Sequence, residues 1–217
     1  MSMTRLIIVR HGQSLANAKQ VFAGHSDYDL SELGHTQARL AAEYLAAHER
    51  IDAIYASDLL RAYHTATPTA ELLGLPVIKD TGLREIFAGE WEGKSVFDLM
   101  ENYPEDFRAW KENYSLSRPT GGESVPEVYR RIVPHICSLA EQNEGKCILL
   151  ATHATVVRSF EAYTRGFGAE ETGRVEFVSN ASINIYTYDK GSVTLERSDI
   201  TEHLGDLVTR IPRVYQA

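Results

Sequence analysis

The feature that most constrains the fold is a set of short apolar runs spaced between longer segments of helical periodicity. "TRLIIV" from Thr4 and "KCILLAT" from Lys146 are continuous apolar stretches rich in Ile, Leu and Val, the pattern of strands buried on both faces. "IDAIYAS" from Ile51 and "PVIKD" from Pro76 read as two more strands. Helical spacing fills the gaps. Leu33, Ala38, Ala41, Tyr44 and Leu45 form one stripe, with Asp29 or Ser31 placed to cap it. Leu59, Leu60, Tyr63, Ala66, Ala70 and Leu73 form another, which Pro68 should kink or Gly74 end. Val125, Val128, Ile132, Ile136 and Leu139 form a third, with Pro126 in its first turn, and "ATVVRSFEAYTRGF" should be a helix ending at Gly166 or Gly168. Residues 81–123 are less regular, with two short helices expected on either side of Pro104. "SINIYTYD" and "SVTLERSD", joined through Asp189, Lys190 and Gly191, read as a hairpin. Strand and helix in alternation imply an α/β fold with a mostly parallel central sheet, helices on both faces and a C-terminal hairpin.

In such sheets ligands bind beyond the carboxyl ends of the strands. Arg10 and His11 follow the first strand, Ser57 and Arg61 the second, Thr152 and His153 the fourth. Brought to one rim, two arginines and two histidines would hold a dianion, because guanidinium forks bind phosphate oxygens bidentately. A histidine nitrogen is also a nucleophile able to carry a phosphoryl group, and a carboxylic acid is then needed to protonate the leaving oxygen. Glu85, Glu90 and Glu92 in "LREIFAGEWEG" are the candidates. Gly12 would let the backbone approach a ligand. Against this, Arg61 taken alone reads as a helix-surface arginine near Asp58, and His25, His35, His48, His64, His135 and His203 read as structural or solvated. Phe22, Tyr28, Phe87 and Trp91 sit in loops suited to lining a pocket. The "GKS" of "GEWEGKS" resembles the end of a P-loop but fails, since Ala88 stands where that motif needs glycine.

The bulk numbers exclude other classes. The 217 residues suit one domain, 1–217, with a lid-like insertion at about 86–123. A net charge of −8 argues against nucleic acid, which requires a clustered positive surface. No stretch approaches the roughly 20 apolar residues that span a bilayer, so no membrane association is expected. The N-terminal apolar run is cut short by Arg10 and His11, so no signal peptide is expected either. Cytoplasmic residence is the default, in keeping with two cysteines, Cys137 and Cys147, that lack metal-type spacing. Oligomeric state has no sequence signal.

Taken together, the blocks "LIIVRHGQSLAN", "DLSELGHTQA", "YASDLLRAYHTA", "LREIFAGEWEG", "GGES" and "LLATHATVVR" resemble, in order and over nearly the whole chain, the phosphoglycerate-mutase-like branch of the histidine phosphatase superfamily. The chain looks most similar to its broad-specificity phosphatases and α-ribazole phosphatases. The resemblance implies a three-layer α/β/α sandwich and a reaction on a small phosphorylated metabolite with no metal and no cofactor, the positive charge coming from Arg10, Arg61 and a protonated His153. It implies that His11 becomes phosphohistidine and that Arg10, Arg61 and His153 hold the phosphoryl oxygens. Glu85 would be the proton donor. Asn17, Ala23 and Gly24 would border the substrate, as would Ala154, which stands where the family usually has glycine; Gln13 replaces a common glutamate. The alternatives within the family are a bisphosphate-dependent phosphoglycerate mutase and a non-catalytic phospho-ligand binder. Mutases carry a longer insertion with adjacent arginines after the acid loop. Here that stretch is short, acidic at first, and holds only scattered Arg108, Lys111 and Arg118, which favours a phosphatase and an uncharged or modestly charged leaving group.

Overall fold

A computed structural model describes residues 3–210. Strand β1 (Thr4–Arg10) lies inside a sheet of six strands. Its residues alternate between two cores. Leu6 and Ile8 join one apolar cluster and Ile7 and Val9 the other, all at most 3% exposed. This is why the run is apolar without interruption: a strand covered on both faces has no solvent side on which to place polar residues.

Helices α1 (Leu15–Lys19) and α2 (Glu32–His48) follow. The Ser31 hydroxyl caps α2 by accepting from Gly34 N. Strand β2 (Ala53–Ala56) leads to α3 (Leu60–Leu73), which runs through Pro68 and stops at Gly74, whose φ of 66° is the left-handed turn that glycine adopts without penalty. Strand β3 (Val77–Lys79) closes this half. Beyond it α4 (Val96–Asn102) and α5 (Pro104–Glu112) meet at Pro104, as the sequence suggests. Helix α6 (Val125–Gln142) starts with a reciprocal Ser124–Glu127 capping box, and β4 (Cys147–Thr152) and α7 (Ala154–Thr164) follow. The hairpin β5 (Ile183–Asp189) and β6 (Ser192–Ile200) turns at Lys190 and Gly191, both with positive φ.

The strand order is β3-β2-β4-β1-β5-β6. The first four are parallel, and β5 runs antiparallel to β1. One face carries α2 and α3, the other α6 and α7, giving the expected sandwich. Trp91, Val96, Leu99, Phe107, Trp110 and Tyr114 join the cluster formed by β1, β4 and α6, so the 86–123 stretch packs into the main core. Among the described residues no helix is long and apolar enough to cross a membrane.

Candidate active site

The ladder between β1 and β4 ends on Arg10 opposite Thr152, one residue later than the apolar runs suggest, and His11 N donates to Thr152 O at 2.8 Å. Arg10 and His11 therefore leave the sheet directly beside His153, which caps α7. The imidazoles of His11 and His153 meet edge to face with centroids 5.3 Å apart. Arg61 arrives from the first turn of α3. The alternative reading of Arg61 as a surface residue fails: it is 1% exposed, and Asp58 instead pairs with Arg84 at 2.5 Å.

These groups open onto a cavity of about 370 Å³, within the range of small-molecule sites. Its wall includes Arg10, His11, Asn17, Ala23, Gly24, Arg61, Glu85 and Ala154. His153 stands just behind, fully buried, its Nε2 sharing a 2.8 Å hydrogen bond with Ser57 Oγ.

The tautomer of His11 follows from its partner. Nδ1 lies 2.7 Å from Gly12 O, and a carbonyl only accepts, so Nδ1 carries the proton and Nε2 keeps its lone pair. Burial, reinforced by Arg61 and Arg10, holds the His11 imidazole well below the usual histidine range. The same holds for His153, through burial first and then Arg61 and His11. Burial therefore works against the protonated His153 that the sequence suggests. Burial lowers Arg10 and Arg61 to about 10, opposed in each case by Glu85, and both stay charged at neutral pH.

Each guanidinium is braced from behind. Arg10 Nη1 donates to Val178 O, and its buried Nε has no partner. Arg61 donates to Ser26 O and Gly24 O at 3.0 and 2.7 Å. Glu85 is fixed by two backbone donors, Ile86 N to Oε1 at 2.8 Å and Thr155 N to Oε2 at 3.3 Å. The other two glutamates have different tasks. Glu92 accepts from His25 N and Ser26 Oγ, each at 2.7 Å, and ties down the 23–26 loop. Glu90 accepts from Tyr103 OH. Neither lines the cavity.

Gly12 is required for a reason other than ligand approach. A Cβ there would stand 2.6 Å from Gly34 O, so the turn packs backbone to backbone against the start of α2. Asn17 Oδ1 accepts from Ser14 N, which identifies it as the oxygen, and also from Asn180 Nδ2.

Several residues escaped the sequence reading. Asn180 Nδ2 also donates to His11 O at 3.1 Å. Arg131 Nη2 donates to Glu85 O at 2.9 Å, a carbonyl that also accepts from Nε2 of His25 at 2.8 Å, the structural role the sequence suggests for that histidine. Of the four loop aromatics only Phe22 reaches the cavity; Trp91 is buried in the core, and Trp110 and Phe177 line the wall instead. Arg108, Lys111 and Arg118 do not line it. Among the described residues no group of three or more His, Cys, Asp or Glu is arranged to hold a metal ion.

The geometry agrees with what known proteins show. The family described as Histidine phosphatase superfamily (branch 1) matches residues 6–201. Phosphoserine phosphatase 1 of Hydrogenobacter thermophilus is 35% identical over 94% of this chain and 96% of its own. The 2,3-bisphosphoglycerate-dependent phosphoglycerate mutase of a Chelativorans species is 33% identical over 91% of this chain and 98% of its own. A mycobacterial glucosyl-3-phosphoglycerate phosphatase, solved in complex with VO3, superposes with a TM-score of 0.82 at 31% identity, over 90% of this chain and 98% of the other.

Proposed function

The chain belongs to the histidine phosphatase superfamily (branch 1), and from that premise we propose that it is a phosphatase of small phosphomonoesters that works through a phosphohistidine on His11, without a metal ion. The observation that carries the mechanism is the Nδ1 hydrogen bond to Gly12 O. It leaves Nε2 with its lone pair, in the field of two charged guanidiniums that oppose protonation of the ring.

The phosphoryl group binds with its oxygens toward Arg10, Arg61 and His153. His11 Nε2 attacks phosphorus, and the P–N bond forms as the ester P–O bond breaks. Glu85, protonated, gives its proton to the departing oxygen. The resulting carboxylate then takes a proton from water as that water attacks phosphorus. The P–N bond breaks, inorganic phosphate leaves, and His11 and Glu85 return to their starting states. The guanidiniums stabilise charge on the equatorial oxygens throughout. Burial lowers the proton affinity of His153 and Arg61 lowers it further; a dianion beside it offsets the arginine, so substrate binding raises that affinity and favours the protonated ring.

A phosphatase is favoured over a mutase because Arg108, Lys111 and Arg118 stay away from the cavity. Arg118 instead pairs with Glu127 at 2.6 Å. The 86–123 segment serves as a lid-like wall over the leaving group within a single domain. Two free cysteines suit a reducing compartment such as the cytoplasm. The test is a screen of phosphomonoesters in excess EDTA. Hydrolysis, inhibited by vanadate, is expected. Loss of turnover in EDTA with rescue by Mg²⁺ would overturn the metal-free mechanism. Isomerisation dependent on a bisphosphate would make the chain a mutase, and binding without turnover a regulator.

A further inference from the structure

The cavity holds more than a phosphoryl group, and its outer half has a composition of its own. Phe22, Trp110 and Phe177 line it, Phe22 edge to face with Trp110 and Phe177 linked to Trp110 through Tyr114. The outer half also carries Arg210, an exposed cation delivered by the segment that follows β6. Arg210 makes no hydrogen bond or ion pair with any described residue, whereas Arg10 and Arg61 are both buried and braced.

The segment that delivers Arg210 is anchored to the catalytic turn. Asn180 N donates to Thr209 O at 2.9 Å, and Thr209 Oγ1 donates to Asn180 Oδ1 at 3.2 Å. Asn180 itself donates to His11 O. On the other side Gln37 Nε2 donates to Leu207 O at 2.8 Å and to Thr209 Oγ1 at 3.0 Å, while Gln37 Oε1 accepts from Gln13 N at 2.8 Å. Thr209 is thus one side chain removed from His11, and Arg210 is held beside the cavity by a bonded strap.

We propose that Arg210 is a specificity-determining residue that binds a single anionic group, a carboxylate, on the leaving group. The preferred substrate is then a small phosphomonoester with a carboxylate at the end away from phosphorus. The proposal rests on the phosphatase reading and adds the substrate class to it. Beyond Arg10, Arg61 and Glu85, Arg210 is the one charged residue among the described residues that line the cavity, and one cation matches one negative charge; a second phosphoryl group would call for more. The overall charge of −8 makes this local cation more necessary, since a substrate with an additional negative charge meets a repulsive field elsewhere.

The test compares 3-phosphoglycerate with glycerol 3-phosphate, which differ by a carboxylate against a hydroxymethyl group, in wild type, Arg210→Ala and Arg210→Lys. In wild type the ratio of kcat/KM should favour the carboxylate by roughly tenfold, the order expected for a charge-assisted contact at an exposed rim. The ratio should fall to near one in Arg210→Ala, mainly through KM, and recover in part in Arg210→Lys, which keeps the charge without the fork. A wild-type ratio near one, equal losses on both esters, or turnover of p-nitrophenyl phosphate but neither of these esters would overturn the assignment of Arg210 and leave the phosphatase reading intact. Failure to hydrolyse any of the three would overturn that reading and this one with it.

Discussion

The inner and outer halves of the cavity are built of different material. The inner half comes from strand ends and helix starts: Arg10, His11, Arg61 and His153 are each at most 4% exposed, and each is tied to backbone or side chain from behind. The outer half comes from a five-residue helix, loops and the segment after β6, and includes exposed Ala18, Gln20 and Arg210. Rigid inner groups suit a transition state whose charge distribution is the same for every phosphomonoester. Loop-built outer groups meet the part of the substrate that varies.

If the inner half does the chemistry, the largest effect should come from Glu85. Glu85→Ala should lower kcat for an alkyl phosphate by about 10³-fold, within the usual range for a lost general acid. It should slow p-nitrophenyl phosphate far less, because that leaving group is stable as an anion. Glu85→Gln is no neutral control: Ile86 N and Thr155 N both point donors at the carboxylate, so the new amide NH₂ would face one of them. Equal losses on both esters in Glu85→Ala would remove Glu85 from the acid role. Arg61→Lys comes next. It keeps the charge but loses the fork braced on Gly24 O and Ser26 O, and kcat/KM should drop roughly 100-fold on every ester, as for one lost transition-state donor. A loss confined to some esters would place Arg61 in the outer half.

Much of the inner half is legible in the sequence because parallel strands deliver their carboxyl ends to one edge, so "RHG", "SDLLR" and "THA" must meet there. Asn180 is not legible in that way. It precedes β5, which is antiparallel to β1, and the start of an antiparallel strand reaches the rim where parallel strands end. Three glutamates in one loop cannot be ranked by spacing; resemblance selects Glu85, and the backbone partners of Glu92 and the cavity wall separate their tasks. The complete burial of His153 beside Arg61, which lowers its proton affinity, is not legible because the sequence does not report burial. Arg210 follows no periodic element and carries no motif, so only its anchored neighbour Thr209 reveals its place.

The smallest of these effects tests the electrostatics of the inner half. Burial holds the proton affinities of His11, His153 and, less strongly, His203 below the unfolded value of about 6.5. As pH falls below that value the unfolded chain takes up protons that the native site refuses. Stability should therefore be complete above about pH 6.5 and decline below it, by up to about 1.4 kcal/mol per pH unit for each histidine. Thermal melts between pH 7.5 and 5 should follow this slope, and His153→Asn should reduce it by one histidine's share. A Tm independent of pH over that window would show that the rings are not held neutral.

The two-step route through His11 is tested most directly by trapping. Enzyme mixed with a ³²P-labelled phosphomonoester and quenched in alkali should carry label on His11 alone, stable to base and released by acid, and His11→Ala should carry none. Turnover by wild-type enzyme with no label on His11 at any quench time, or full activity in His11→Ala, would contradict it.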